Sequence, residues 1–215
     1  MSEDKKAGQL ILSQLKMFNE AVVLFENVIS PAIDRGIDSC VENFVEKNDW
    51  LGEFEFESDN KKCWLAPGHW CSNPAEEDPE FRAWFEIECI EDGDNYWAAL
   101  FCGVATQGGE AGFKFCINPR IFGGKNAWNA SAKKIPQDII LKLEGLGFKN
   151  LGRGEFFLPV LLDSQKMSQS WFEFGEFTKD DECFTPLCAA LEKLKQAVQT
   201  FDQVMQNCTA SNSGK

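Results

Sequence analysis

The spacing of apolar residues changes from a helical period at both ends of the chain to a period of two in the middle. Apolar residues recur every three or four positions over residues 11–29 and again over 184–205. Between these stretches, residues 53–57 read Glu-Phe-Glu-Phe-Glu, and residues 85–89 alternate in the same way. Strand side chains alternate sides at every residue, whereas helical side chains repeat about every 3.6 residues. A chain with this order of elements is predicted to be an α+β protein.

The helical stretches predict elements that close the fold at both ends. One helix is expected over residues 8–30, and Ser30-Pro31 has the form of an N-cap followed by proline, so a second helix is expected over 31–47. A long helix is predicted near the C-terminus. We expect a single domain over residues 1–208 and a disordered tail over 209–215. The apolar stripes of the first and last helices are predicted to share one core through Phe18, Val22, Phe25, Leu191, Leu194 and Val198.

The central part of the chain predicts an antiparallel sheet of about five to seven strands, packed against the N-terminal and C-terminal helices. Turn residues separate the apolar runs at 58–60, 92–95 and 107–109, as a meander requires. A shorter helix is expected over 135–146. Strands are predicted over residues 53–57, 62–66, 85–89, 96–105, 113–117, 155–162 and, as a further candidate, 170–174.

Negative charge is concentrated in about one fifth of the sequence. Residues 49–94 contain fourteen acidic and three basic side chains, a balance of −11, whereas the whole chain has a formal charge of −13. Such a field attracts a basic partner and repels nucleic-acid phosphate. We therefore expect a basic protein partner and no direct binding of nucleic acid.

The two alternating segments predict where the acidic side chains lie. If both are strands of one sheet, their glutamates project from one side, because the other side is needed for the core. The connection that follows, over residues 67–81, adds acidic residues between Pro74 and Pro79 and is expected to be an exposed loop. The predicted partner-binding residues are Glu53, Glu55, Glu57, Glu76, Glu77, Asp78, Glu80, Glu86 and Glu88.

Three interpretations of this acidic surface remain open. A solvated face that protects the sheet from edge aggregation needs no partner. A non-catalytic interaction module would bind the basic surface of a partner, for example a nucleic-acid-binding protein that it regulates or blocks by mimicking phosphate. A metal-dependent nuclease or phosphodiesterase would use the same carboxylates with Lys114. The interaction module is our leading hypothesis, because the sequence contains no strong catalytic or cofactor motif, and we expect no cofactor.

Cys63, His69 and Cys71 form a spacing that could supply three ligands to zinc. This spacing matches no common zinc finger, so packing is the alternative role, and we expect no tightly bound metal. The nine cysteines include no Cys-x-x-Cys pair, and the first residues contain no apolar leader segment. These features favour reduced thiols and a cytoplasmic location, and no run is long enough to span a membrane.

Residues 114–153 have the opposite charge balance. They contain eight basic and two acidic side chains, a balance of +6. The stretch from Arg120 to Trp128 combines glycines, bases and an aromatic ring, a composition that can hold phosphate or stack a base. The alternative is a surface loop whose bases neutralise the acidic strands.

Overall fold

The structure, a computed structural model, describes residues 3–58, 61–72, 79–90, 93 and 95–210. Within these residues, six antiparallel strands form one sheet in the order β1-β2-β3-β4-β6-β5. The predicted α+β class and antiparallel sheet are confirmed, and β1 to β4 form the expected meander. The strands are β1 Trp50–Glu55, β2 Lys62–Pro67, β3 Ala83–Ile90, β4 Glu110–Ile117, β5 Lys149–Gly152 and β6 Glu155–Pro159.

Helices occupy both ends of the described chain and the connections between strands. The predicted closing helix is confirmed as α8, which continues to Ala210, two residues into the predicted tail, and residues 211–215 lie outside the described part. The helices are α1 Glu3–Ser13, α2 Leu15–Leu24, α3 Ser30–Asn48, α4 Trp97–Phe101, α5 Lys125–Ala132, α6 Gln137–Gly145, α7 Ser164–Phe174 and α8. None of the described helices combines the length and the apolar character that crossing a bilayer requires.

The core lies between one face of the sheet, here called the core face, and the helices α3 and α8. Phe85 and Phe115 are paired residues on β3 and β4, and both are buried against Phe201 of α8. Ile37 of α3 is fully buried in the same cluster. Aromatic and aliphatic side chains thus join the sheet to the two helices, and their burial stabilises the fold.

The expectation that the first helix packs in this core is wrong. α1 and α2 form an N-terminal arm with the π-helical turn Phe25–Ile29, and none of the residues in α2 or in this turn is buried. The turn continues directly into α3, since Ser30 has helical dihedral angles rather than those of an N-cap. Pro31 lacks the N–H that an α-helix needs at this position, and the π-helical turn before it accommodates this defect without ending the helix.

Two predicted strands are helices. Residues 96–105 contain α4, because an apolar run of this length is compatible with either element and its two adjacent alanines favour the helix. Residues 170–174 belong to α7. Asp163 caps this helix by accepting hydrogen bonds from the backbone N–H groups of Gln165 and Lys166, and Gly175 ends it in the left-handed conformation. Both residues are capping signals that the sequence itself contains.

Candidate binding face of the sheet

The face opposite the core, here called the outer face, carries the glutamates of both alternating segments. Strand register places Glu53, Trp64, Glu86, Lys114 and Phe157 in one row across β1, β2, β3, β4 and β6. The charged and aromatic side chains of this face on β1 to β4 are half-buried or exposed, whereas the residues that alternate with them on β2 and β3 mostly point into the core. The expected alternation therefore places both glutamate pairs on one accessible surface.

Glu53 lies at one end of this row and is held by two donors. Its Oε2 atom is 2.6 Å from Lys62 Nζ and accepts a hydrogen bond of 2.9 Å from Trp64 Nε1. Both hydrogen bonds lower the pKa of Glu53, and the bond from Lys62 has the larger effect. The carboxylate is therefore ionised at neutral pH, and it fixes the orientation of the Trp64 indole.

Glu86 and Glu88 occupy successive outer-face positions on β3. Glu86 accepts a hydrogen bond of 2.9 Å from Trp84 Nε1 on its own strand. Burial raises the pKa of Glu88, the charge of Lys114 partly offsets this effect, and the charge of Glu86 adds to it. The outer face therefore alternates carboxylates with lysine and tryptophan and is not uniformly acidic.

The other predicted partner-binding residues have different positions. Glu55 is exposed on the outer face opposite Lys62. Glu57 lies beyond the end of β1, where its side chain is 2.5 Å from Arg35 of α3, so it does not join the glutamates of the outer face. Glu80 is exposed and accepts a hydrogen bond from Asn118. Glu76, Glu77 and Asp78 lie outside the described residues.

A groove of about 680 Å³ runs along the outer face beside Glu86. The Trp64 ring packs edge-on against Phe81, with 4.9 Å between their centroids, and Trp84 lines the same groove. The sequence contained a signal for this arrangement, because Trp64 and Trp84 each alternate with buried neighbours and so must share the side of the glutamates. The described residues that line the groove are Lys62, Trp64, Pro79, Glu80, Phe81, Trp84, Glu86, Asn118, Pro119 and Arg120.

Two aspartates of α3 were not among the predicted site residues. Asp38 accepts hydrogen bonds from the backbone N–H groups of Phe56 (3.0 Å) and Glu57 (3.2 Å). Asp34 is buried and lies 2.5 Å from Lys61 Nζ. Burial raises the pKa of both aspartates, and these hydrogen bonds oppose the shift. Their spacing of four residues places them on one side of α3, where they anchor the chain between β1 and β2.

The candidate zinc ligands do not come together. Cys63 is buried on β2, and this burial, with the nearby charge of Asp38, raises the pKa of its thiol. His69 instead lies 3.2 Å from Asp202 of α8, which also accepts a hydrogen bond of 2.8 Å from Trp70. Among the described residues, no group of three or more His, Cys, Asp or Glu side chains is placed to hold a metal ion. Cys63 and His69 thus have packing and tethering roles in the described part of the chain.

The basic segment 114–153 is not a single surface loop. It includes the end of β4, all of α5 and α6, and all of β5. Trp128, the predicted stacking ring, is buried, and its Nε1 donates to the backbone carbonyl of Arg153. Lys149 pairs with Glu110, while Arg120 is exposed at the rim of the groove. The base-stacking arrangement is therefore absent from this described segment, and part of its positive charge lies beside the acidic strands.

Comparison with known proteins adds no relative: no family model, curated protein or solved structure matches this chain.

Proposed function

We propose that this protein is a non-catalytic interaction module whose outer sheet face binds a basic segment of a partner protein. The observation that carries the proposal is the groove in which Trp64, Phe81 and Trp84 lie beside the carboxylates of Glu80 and Glu86. A nucleic-acid-binding protein is one class of partner with a suitably basic surface, which this module would then block or regulate.

The chemistry of the groove suits a lysine or arginine side chain. An aromatic face attracts a cation through its ring quadrupole, by about 0.5–2 kcal/mol depending on desolvation. A carboxylate at the end of the same groove can accept a charge-assisted hydrogen bond from that cation. Trp84 and Glu86 supply this combination, and the hydrogen bond between them holds the indole and the carboxylate in a defined arrangement.

The distribution of charge supports a protein partner with mixed chemistry. Residues 49–94 hold a balance of −11, which steers a basic surface toward this half of the sheet. Within the groove, Lys62 and Arg120 accompany Glu80 and Glu86. A bound segment is therefore expected to be basic overall while presenting an acceptor to Arg120.

Titration with short synthetic peptides tests this proposal. A Lys/Arg-rich peptide should quench or shift the tryptophan fluorescence of the protein, and a Glu-rich peptide of equal length should not. The affinity should fall as salt is raised, because exposed charge pairs are screened. Trp64→Ala should cost about 2 kcal/mol or more of binding free energy if the groove is the centre of the interface.

Single neutralisations distinguish a docking surface from a catalytic centre. Glu53→Gln, Glu55→Gln, Glu86→Gln and Glu88→Gln should each weaken binding by about 1 kcal/mol or less. Glu192→Gln is the matched control, since it removes one exposed carboxylate from α8 on the other side of the sheet. The proposal would be contradicted if Trp64→Ala and all four neutralisations left the binding affinity unchanged. A hydrolytic activity that falls by several orders of magnitude in one variant, and is unchanged in the variants of the neighbouring glutamates, would favour the metal-dependent enzyme instead.

A further inference from the structure

The N-terminal arm carries many large apolar side chains that are exposed to solvent. Large apolar side chains along it have exposed fractions from 38 to 72%. Contiguous exposed apolar surface in a folded protein marks a site of interaction. These side chains are Leu10, Ile11, Leu12, Leu15, Met17, Phe18, Val23, Leu24 and Val28.

Within the described part of the chain, the side-chain contacts that join the arm to the rest of the fold lie near the C-terminal end of the arm. The Phe25 ring packs edge-on against Tyr96, with 5.0 Å between centroids, and Tyr96 Oη donates a hydrogen bond of 2.7 Å to Glu26. α1 and α2 pack mainly against their neighbours along the arm itself. The apolar side chains before Phe25 are thus left available to another molecule.

We propose that the arm is a self-association surface that packs against the arm of a second copy of this chain. Its apolar residues form a stripe with intervals of four, three, four, three and four residues. That spacing is the seam through which helices pack on one another in coiled coils and bundles. The exposed part of the stripe consists of Ile11, Leu15 and Phe18, whereas Val22, Phe25 and Ile29, which continue the same spacing, are half-buried.

The area of the arm is close to what a stable self-contact needs. A fully exposed aliphatic side chain offers roughly 90 Å² of apolar surface, so nine that are about half exposed offer on the order of 400 Å². Apolar atoms make up about 60% of a typical interface, so an interface that surrounds the arm on all sides can draw on at most about 700 Å² from it. Stable complexes bury about 800 Å² on each partner.

Charge favours a second copy over an anionic surface. Residues 1–30 contain four acidic and three basic side chains, a balance of −1, and the remaining residues contain thirty acidic and eighteen basic ones, a balance of −12. Two copies therefore repel each other least where their arms meet. An anionic bilayer would repel the rest of the molecule, and the arm lacks the lysine-rich polar face of helices that lie on membranes.

The mass of the full chain in solution tests the proposal. Sedimentation or light scattering of the wild type should give a multiple of 24.2 kDa at micromolar concentration. The double variant Leu15→Glu/Phe18→Glu should return the mass to that of one chain. Both side chains are exposed, so the variant should keep the far-ultraviolet circular dichroism and the melting temperature of the folded body.

Lys16→Glu is the matched control, because it also changes the net charge by −2 but at a side chain that is 89% exposed and outside the stripe. It should assemble like the wild type. A wild type that stays at one chain mass up to about 100 µM, a concentration far above the ~1 µM dissociation constant of even a moderate complex, would overturn the proposal. The proposal would also be overturned if the double variant assembled to the same mass as the wild type. A wild type that has the mass of one chain and pellets with anionic vesicles would instead assign the arm to a membrane surface.

Discussion

Replacing Phe201 by alanine should remove the ring that joins α8 to the sheet. This side chain is fully buried, and its ring stacks on Phe115 with 4.2 Å between centroids. It also meets the rings of Phe148 at 5.2 Å, Phe85 at 5.3 Å and Phe156 at 5.7 Å. Three strands and the chain that leads into β5 therefore contact α8 through one side chain.

The expected loss follows from the cavity that the substitution leaves. Truncation of a buried phenylalanine to alanine costs about 3–5 kcal/mol, and the cost rises with the volume that the surroundings cannot fill. Each lost aromatic pair adds about 0.5–1.5 kcal/mol beyond area burial. Phe201→Ala should therefore fall near the upper end, at about 5 kcal/mol, which is a large part of the 5–15 kcal/mol stability of a typical domain.

Urea denaturation followed by circular dichroism and by tryptophan fluorescence measures this loss. A loss of about 5 kcal/mol lowers the melting temperature of a protein of this size by roughly 10–20 °C. Gln203→Ala provides the control, since it lies on the same helix with an exposed side chain and should change stability by less than about 0.5 kcal/mol. A loss below about 2 kcal/mol for Phe201→Ala, where buried phenylalanines normally cost more, would refute the packing of α8 on the sheet.

Three further perturbations test the strands and the thiols. Phe56→Ala should lower the free energy of unfolding by about 3–5 kcal/mol, because the side chain is fully buried. Glu55 is exposed, so Glu55→Gln should lower it by less than about 0.5 kcal/mol. Equal losses for the two variants in urea titrations would contradict the strand orientation. Asp38→Ala leaves two backbone N–H groups without their acceptor and should cost about 1–3 kcal/mol in the same assay, whereas no loss would deny the anchoring role. The neighbouring Cys40 thiol and, to a smaller extent, the charge of Lys47 lower the pKa of Cys188 to about 7. Its alkylation rate, followed by mass spectrometry, should therefore rise through pH 7 as the thiolate forms, and a midpoint near 9 would contradict that environment.

Local periodicity was sufficient to predict those helices and strands that can bury their apolar side chains in only one orientation. Glu53 and Phe56 alternate with opposite polarity, so only one placement of β1 buries the aromatic side and exposes the carboxylates. The apolar stripe of α8 likewise has one side that can face a sheet. Such elements are determined by burial alone, and the α+β class followed from their order along the chain.

The same reasoning could not decide which apolar surfaces meet. The stripe of the N-terminal arm and that of α8 have the same spacing, yet only α8 packs in the core, because the sheet needs one long helix beside α3 and the ring of Phe201 together with the aliphatic side chains of α8 fills that space. Residues 96–105 formed an apolar run with no alternation, so their helical state depended on the surrounding fold.

The candidate site likewise contains features that the sequence determines and features that only the tertiary structure determines. The sequence by itself determined that Glu53, Glu55, Glu86 and Glu88 share one accessible face, since strand alternation is a local property. Only the tertiary structure decided that Glu57 pairs with Arg35 and that Arg120 lies at the groove beside Glu86. These contacts join residues far apart in the chain, and their geometry depends on strand register and on the paths of the connecting segments, which local residue patterns do not specify.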